Sequence, residues 1–156
     1  MIRGSAVPAR LSPLALAAAG GIAFAYLAHL AMMLAAKSWI VDSSLHPIAL
    51  DFLSFWSAGH LALTGHAGAA YDWPAMHMLQ QQLMGHEPSG YYGWAYPPLF
   101  FCVAIVLALM PYAMSFLVWA GATLALYAAA IARIAQDRGA ALIACAAPAT
   151  LACAMV

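Results

Sequence analysis

Five side chains that could carry chemistry, two carboxylates, two aromatic rings and one imidazole, stand out between residues 51 and 96 of a largely apolar chain. They are Asp51, Asp72, Trp56, Tyr96 and His60. Asp51 opens the stretch DFLSFWSAGHLALTG, Asp72 closes AYD, and Tyr96 opens YPPLFF. A carboxylate held ionised can take a proton from an attacking hydroxyl, and an indole or phenol ring offers a sugar both an apolar face and a hydrogen-bonding edge. The same residues have plainer uses. An Asp at the first position of a helix satisfies orphan amides, and a dense aromatic group, here Tyr91, Tyr92, Trp94 and Tyr96, suits a membrane headgroup interface. The two roles of Asp51 are compatible, because a helix N-terminus favours the charged form that a base requires.

Other chemistries find less support. The six histidines lack ligand spacing: His60 and His66 are six apart and no HExxH run exists, so no metal is expected. Cys102, Cys145 and Cys153 sit in apolar runs as small hydrophobes, without a CxxC pair. His29 falls in the middle of an apolar stretch; an interhelical hydrogen bond is its expected role, and a bis-histidine haem would need a second subunit. No cofactor is implied. Zero formal net charge gives nucleic acid no basic surface to bind.

The elements that must position these residues are those of a membrane protein. The chain is 67% hydrophobic and 6% charged, against roughly 25% charged in soluble domains. Residues 14–36 carry no charge, long enough to cross the bilayer and too long for a signal peptide's apolar core. Arg3 and Arg10 before this span, against Lys37 after it, place residues 1–13 in the cytoplasm and the 37–97 loop outside. Within the loop, Phe52, Phe55, Trp56, Gly59 and Leu63 repeat with helical spacing, capped by Asp51 and ended by Gly65. A second helix is expected over Trp73 to Met84, with Asp72 before it, Pro74 in its first turn and Gly85 after it. Both are expected to lie on the membrane surface. Beyond the loop, the prolines at 98 and 111 mark a short span over 98–110, lengthened if the helix starts near Trp94, and a third over 112–132. This hairpin returns Arg133, Asp137 and Arg138 to the outside, against the charge rule; a single crossing would place them inside. Residues 139–156 read as a fourth span cut short. The expected fold class is all-α, multi-pass in the inner (cell) membrane.

Taken in order, DFLSFWSAGHLALTG after the first span, then AYD, then YPPLFF leading to Leu-Met-Pro-Tyr resemble the family-87 glycosyltransferases, polyprenol-phosphate-dependent mannosyltransferases of GT-C architecture. The resemblance implies transfer of a sugar, often mannose, from a polyprenyl-phosphate donor in membrane lipid to an acceptor hydroxyl on the extracytoplasmic face. It implies that Asp51 is the base. Trp56, His60, Asp72 and Tyr96 are the substrate-binding candidates, and His60, one helical face from Asp51, is the candidate contact for the leaving phosphate. Members of the family run to several hundred residues, so the chain is expected to be an N-terminal portion that is inactive by itself. A small non-catalytic membrane anchor or regulatory subunit is the competing reading of its shortness. No intramembrane acid or paired half-helix motif favours a transporter.

Overall fold

The computed structural model describes residues 12–48, 50–88, 90, 92–136, 138–147 and 150. Arg3, Arg10, Tyr91, Asp137 and Cys153 lie outside the described residues. The described chain is helical, with no strand and one isolated antiparallel bridge between Val41 and Pro47. It contains six α-helices, in order α1 (Pro13–Ala35), α2 (Phe52–Leu63), α3 (Trp73–Met84), α4 (Phe101–Ala108), α5 (Tyr112–Ala135) and α6 (Arg138–Cys145). Short 3-10 turns at Ala67–Tyr71 and Pro98–Phe100 lead into α3 and α4.

Most helix ends fall where proline and glycine put them. Ser12 caps α1 by accepting from the Ala15 amide at 3.1 Å, with Pro13 in its first turn. Gly65 and Gly85 come after α2 and α3 with φ of 81° and 71°, a left-handed backbone that costs glycine nothing. The two helices long and apolar enough to cross a bilayer are α1, of 23 residues, and α5, of 24. Each extends about 35 Å at 1.5 Å per residue, against a hydrocarbon core of roughly 30 Å.

The two long helices run antiparallel. Leu30 and Met33 near the end of α1 pack on the cluster that holds Trp39, Tyr112 and Phe116 at the start of α5. At the other end α6 packs against both α5 and α1. Of the expected fourth span over 139–156, α6 accounts for eight described residues, and most of the chain beyond Cys145 lies outside the described residues.

Over the end of α1 and the start of α5 sits a cap made of residues 38–48, α2 and α3, against which α4 is laid. Its core is well filled: Ile40, Leu53, Met76 and Gln80 are fully buried. Burying each such apolar side chain contributes about 1.5–3 kcal/mol. Helix α2 is therefore not a one-faced surface helix. From Phe52 to Gly59 every residue but Trp56 is buried, because Ser54, Ser57, Ala58 and Gly59 are small enough to admit neighbours on the side opposite the large rings.

The tightest approach in the cap is between α2 and α4. A Cβ built on Gly59 would stand 2.1 Å from the Ala104 carbonyl oxygen and 2.9 Å from the Ala108 Cβ. Glycine is required there because backbone meets backbone. The segment that enters α4 departs from expectation. Residues 92–95 are not helical, so the helix does not begin at Trp94; with the preceding 3-10 turn it covers Pro98–Ala108, about 16 Å.

Gly59→Ala should lower the thermal stability of the detergent-solubilised chain by about 1–3 kcal/mol, the usual cost of overpacking. Gly121→Ala, where an added Cβ meets nothing within 4 Å, should leave the same melting curve unmoved or slightly raised.

Candidate functional site

Asp51 holds the first position before α2, yet its carboxylate caps nothing. Its backbone is helical, with φ −54° and ψ −29°, whereas a capping residue adopts the extended conformation that turns its side chain back over the first turn. The amides it would have served are also taken. Leu53 N–H donates to the Leu50 carbonyl at 2.8 Å, and Ser54 N–H to the Asp51 carbonyl at 3.2 Å. The Ser54 hydroxyl adds a second donation to that carbonyl at 2.9 Å. Among the described residues the Asp51 carboxylate accepts no hydrogen bond, and the residue is exposed.

Asp72 reaches the same condition by a different route. Its backbone is extended, as a cap requires, and its carbonyl accepts from Met76 N–H at 3.0 Å. The second helical position is Pro74, which has no amide hydrogen to offer, and the side chain makes no capping bond. Asp42 is the contrast: its Oδ1 accepts from the amides of Ser44 and His46 at 2.8 and 2.9 Å, so that carboxylate is engaged in holding its own turn.

One turn beyond Asp51, on the same side of α2, Phe55 enters an aromatic cluster. Its ring centroid lies 5.2 Å from Trp94, 4.5 Å from Tyr96 and 5.6 Å from Trp119. Trp94 also meets Tyr96 at 5.0 Å and Phe101 at 5.1 Å. The Tyr71 hydroxyl donates to the Tyr96 carbonyl at 2.8 Å, which ties the residue next to Asp72 to the same cluster. Tyr96, 38% exposed, is the open edge, while Trp94 is buried in the core and not in a headgroup belt. Phe55, one turn after Asp51, and Tyr71, the residue before Asp72, thus both meet Tyr96.

Trp56 and His60 belong to another side of α2. They stack on each other, 5.4 Å apart and 13° from parallel, and the Trp56 indole N–H donates to the Met110 carbonyl at 3.0 Å. Nine residues separate His60 from Asp51, which is half a turn in angle and about 13 Å along the helix. The two side chains are therefore not in contact, and each faces its own surroundings.

Three polar groups escaped the sequence reading. Gln80 is fully buried, its Nε2 donating to the Tyr92 carbonyl at 2.8 Å while its Oε1 has no partner among the described residues. Spacing held the signal: Met76, Gln80 and Met84 recur every fourth residue and all face inward. The Trp94 Nε1 is likewise buried without a partner there. His77 Nε2 lies 2.6 Å from Glu87 Oε1. Among the described residues no group of three or more His, Cys, Asp or Glu side chains is placed to hold a metal ion. His29 is exposed and makes no hydrogen bond among the described residues, in place of the expected interhelical bond, because the packed side of α1 carries Ala19, Leu30 and Met33. Cys102, a small hydrophobe in its apolar run, is exposed on α4.

The model of glycosyltransferase family 87 matches residues 94–156, which supports a glycosyltransferase. The matched segment opens at Trp94 and takes in Tyr96, Pro97, Pro98, α4 and α5; Asp51, Trp56, His60 and Asp72 precede it. No curated protein and no solved structure matches the chain.

Asp51→Ala should leave thermal stability within about 0.5 kcal/mol of wild type, as for surface changes that break no bond, whereas a true capping aspartate would lose about 1 kcal/mol. Trp56→Phe, which keeps the ring and deletes the donor to Met110, should cost about 1 kcal/mol in the same melt.

Proposed function

We propose that the chain is the N-terminal portion of a membrane glycosyltransferase that moves a sugar, mannose in the first instance, from a polyprenyl-phosphate donor to an acceptor hydroxyl on the extracytoplasmic face. One observation carries the reading: an exposed carboxylate that accepts no hydrogen bond among the described residues stands one turn before Phe55, in an aromatic cluster that continues into the segment matched by family 87.

In this reading the Asp51 carboxylate takes the proton of the acceptor hydroxyl as its oxygen attacks the anomeric carbon. The bond from that carbon to the phosphate oxygen breaks with oxocarbenium character at the sugar, and a single displacement of this kind inverts the anomeric configuration. Polyprenyl phosphate departs as an anion, so no acid has to protonate it; a positive or hydrogen-bonding neighbour is enough. Tyr96 offers its exposed ring to the apolar face of the sugar, and Asp72, whose carboxylate is also unengaged, accepts from sugar hydroxyls. Trp56 and His60 are assigned to the lipid-phosphate side of the substrate, away from the base.

The assay is transfer of radiolabelled mannose from polyprenyl-phosphate mannose in membranes carrying the longest reading frame that contains this chain. Asp51→Asn should reduce the rate by about 10²- to 10⁴-fold at unchanged expression, the range of general-base help. Transfer at the wild-type rate by that variant would reject Asp51 as the base.

A further inference from the structure

The apolar segment Pro98–Ala108 is the part of the molecule whose surroundings and sequence point in different directions. Composition alone reads it as a membrane crossing, yet it is fastened along its whole length to the cap. Phe101 near its start meets Tyr71 and Trp94, Ala104 in its middle and Ala108 at its end approach Gly59, and Met110 just beyond it accepts from the Trp56 indole. Both of its ends thus lie against elements of the loop. Helix α2 ends in Thr64, Gly65 and His66, all exposed, and the next helix exposes Asp72, Gln81 and Gln82. Carrying α4 across the bilayer would drag these polar groups into hydrocarbon, where an unsatisfied polar group costs several kcal/mol.

The opposite side of α4 is apolar and uncovered. Leu99, Val103, Val106 and Leu109 recur with helical spacing and are 78%, 39%, 58% and 68% exposed. After the turn at Pro111 the exposed side chains continue as Met114, Leu117 and Val118 on α5, one of the two helices fit to cross a membrane. A surface continuous with the lipid-facing side of a crossing helix has the same occupant. We infer that α4 is not a crossing but an in-plane helix, its Leu99–Val103–Val106–Leu109 side seated in the acyl layer of the outer leaflet and its other side carrying the cap. The return crossing is then α5. Arg133 and Arg138 come back to the side of Arg3 and Arg10, so that four of the chain's five basic residues share one face of the membrane and the charge rule is obeyed.

The test uses the full chain in liposomes of phosphatidylcholine and phosphatidylglycerol, with its native cysteines replaced by alanine and single nitroxide labels at positions 99, 103, 106 and 109. Relative collision rates with oxygen and with a water-soluble nickel complex report depth. All four labels should sit within one leaflet, at depths differing by no more than about one helical turn, 5 Å. A crossing helix would instead spread positions 99 and 109 over about 15 Å and into opposite leaflets, which overturns the inference. Labels reached by the nickel complex and shielded from oxygen would overturn it equally, since the surface would then face water. In parallel, Ser5→Cys and Gln136→Cys should react with a membrane-impermeant maleimide from the same side; reaction from opposite sides rejects α5 as the return. A label that perturbs folding is recognised by circular dichroism, and Cys102 restored alone then serves as the probe on the same helix.

Discussion

The arrangement depends on the backbone approach of α2 to α4 at Gly59 and Ala104. A missing side chain lets two short apolar helices lie close enough to behave as one layer, with Phe55, Trp94 and Phe101 filling the space on one side and Trp56 and Tyr112 on the other. Neither helix is long enough to be stable alone. Bound to each other, they form the layer from which α3 and the turn at Ala67–Tyr71 are hung, and this layer sets the position of every candidate site residue.

Local punctuation was the most legible part of the sequence. Pro74, Pro98 and Pro111 in or before a first turn and Gly65 and Gly85 after a last one mark boundaries that the backbone respects, since these residues restrict or extend φ whatever surrounds them. The helix over Trp73–Met84 could be read for the same reason, and the first long helix from its unbroken uncharged length. Properties set by neighbours distant in sequence could not be read. The apolar run at 98–110 looks the same whether lipid surrounds it or a cap covers half of it. The capping role expected of Asp51 failed because Leu50 and Asp51 carbonyls reach the first-turn amides, a competition that no residue type announces.

The candidate site shows the same division. Asp51 and Tyr96 could be picked out as exposed chemistry in an apolar chain, and the fold links them through Phe55, which the sequence offered only as one more hydrophobe on a helical face. His60 was attractive because it shares a helix with the aspartate, but a helix also separates residues by angle. Trp94 and Gln80 carry buried polar atoms without partners among the described residues, and both adjoin the segment that ends at Tyr96.

The indole of Trp56 bonded to the Met110 carbonyl has a mechanical consequence. That carbonyl lies in the peptide bond leading into Pro111, at the corner between α4 and α5, and the indole supplies it with a donor from the cap. The start of α5 is thereby tied to the cap, where the Tyr112 ring also meets Phe52. In bilayers of different thickness the helix cannot adjust by sliding at that end. Mismatch between α5 and a bilayer would then fall to tilt and to the long side chain of Arg133 at the far end of the helix, while the cap end keeps its packing.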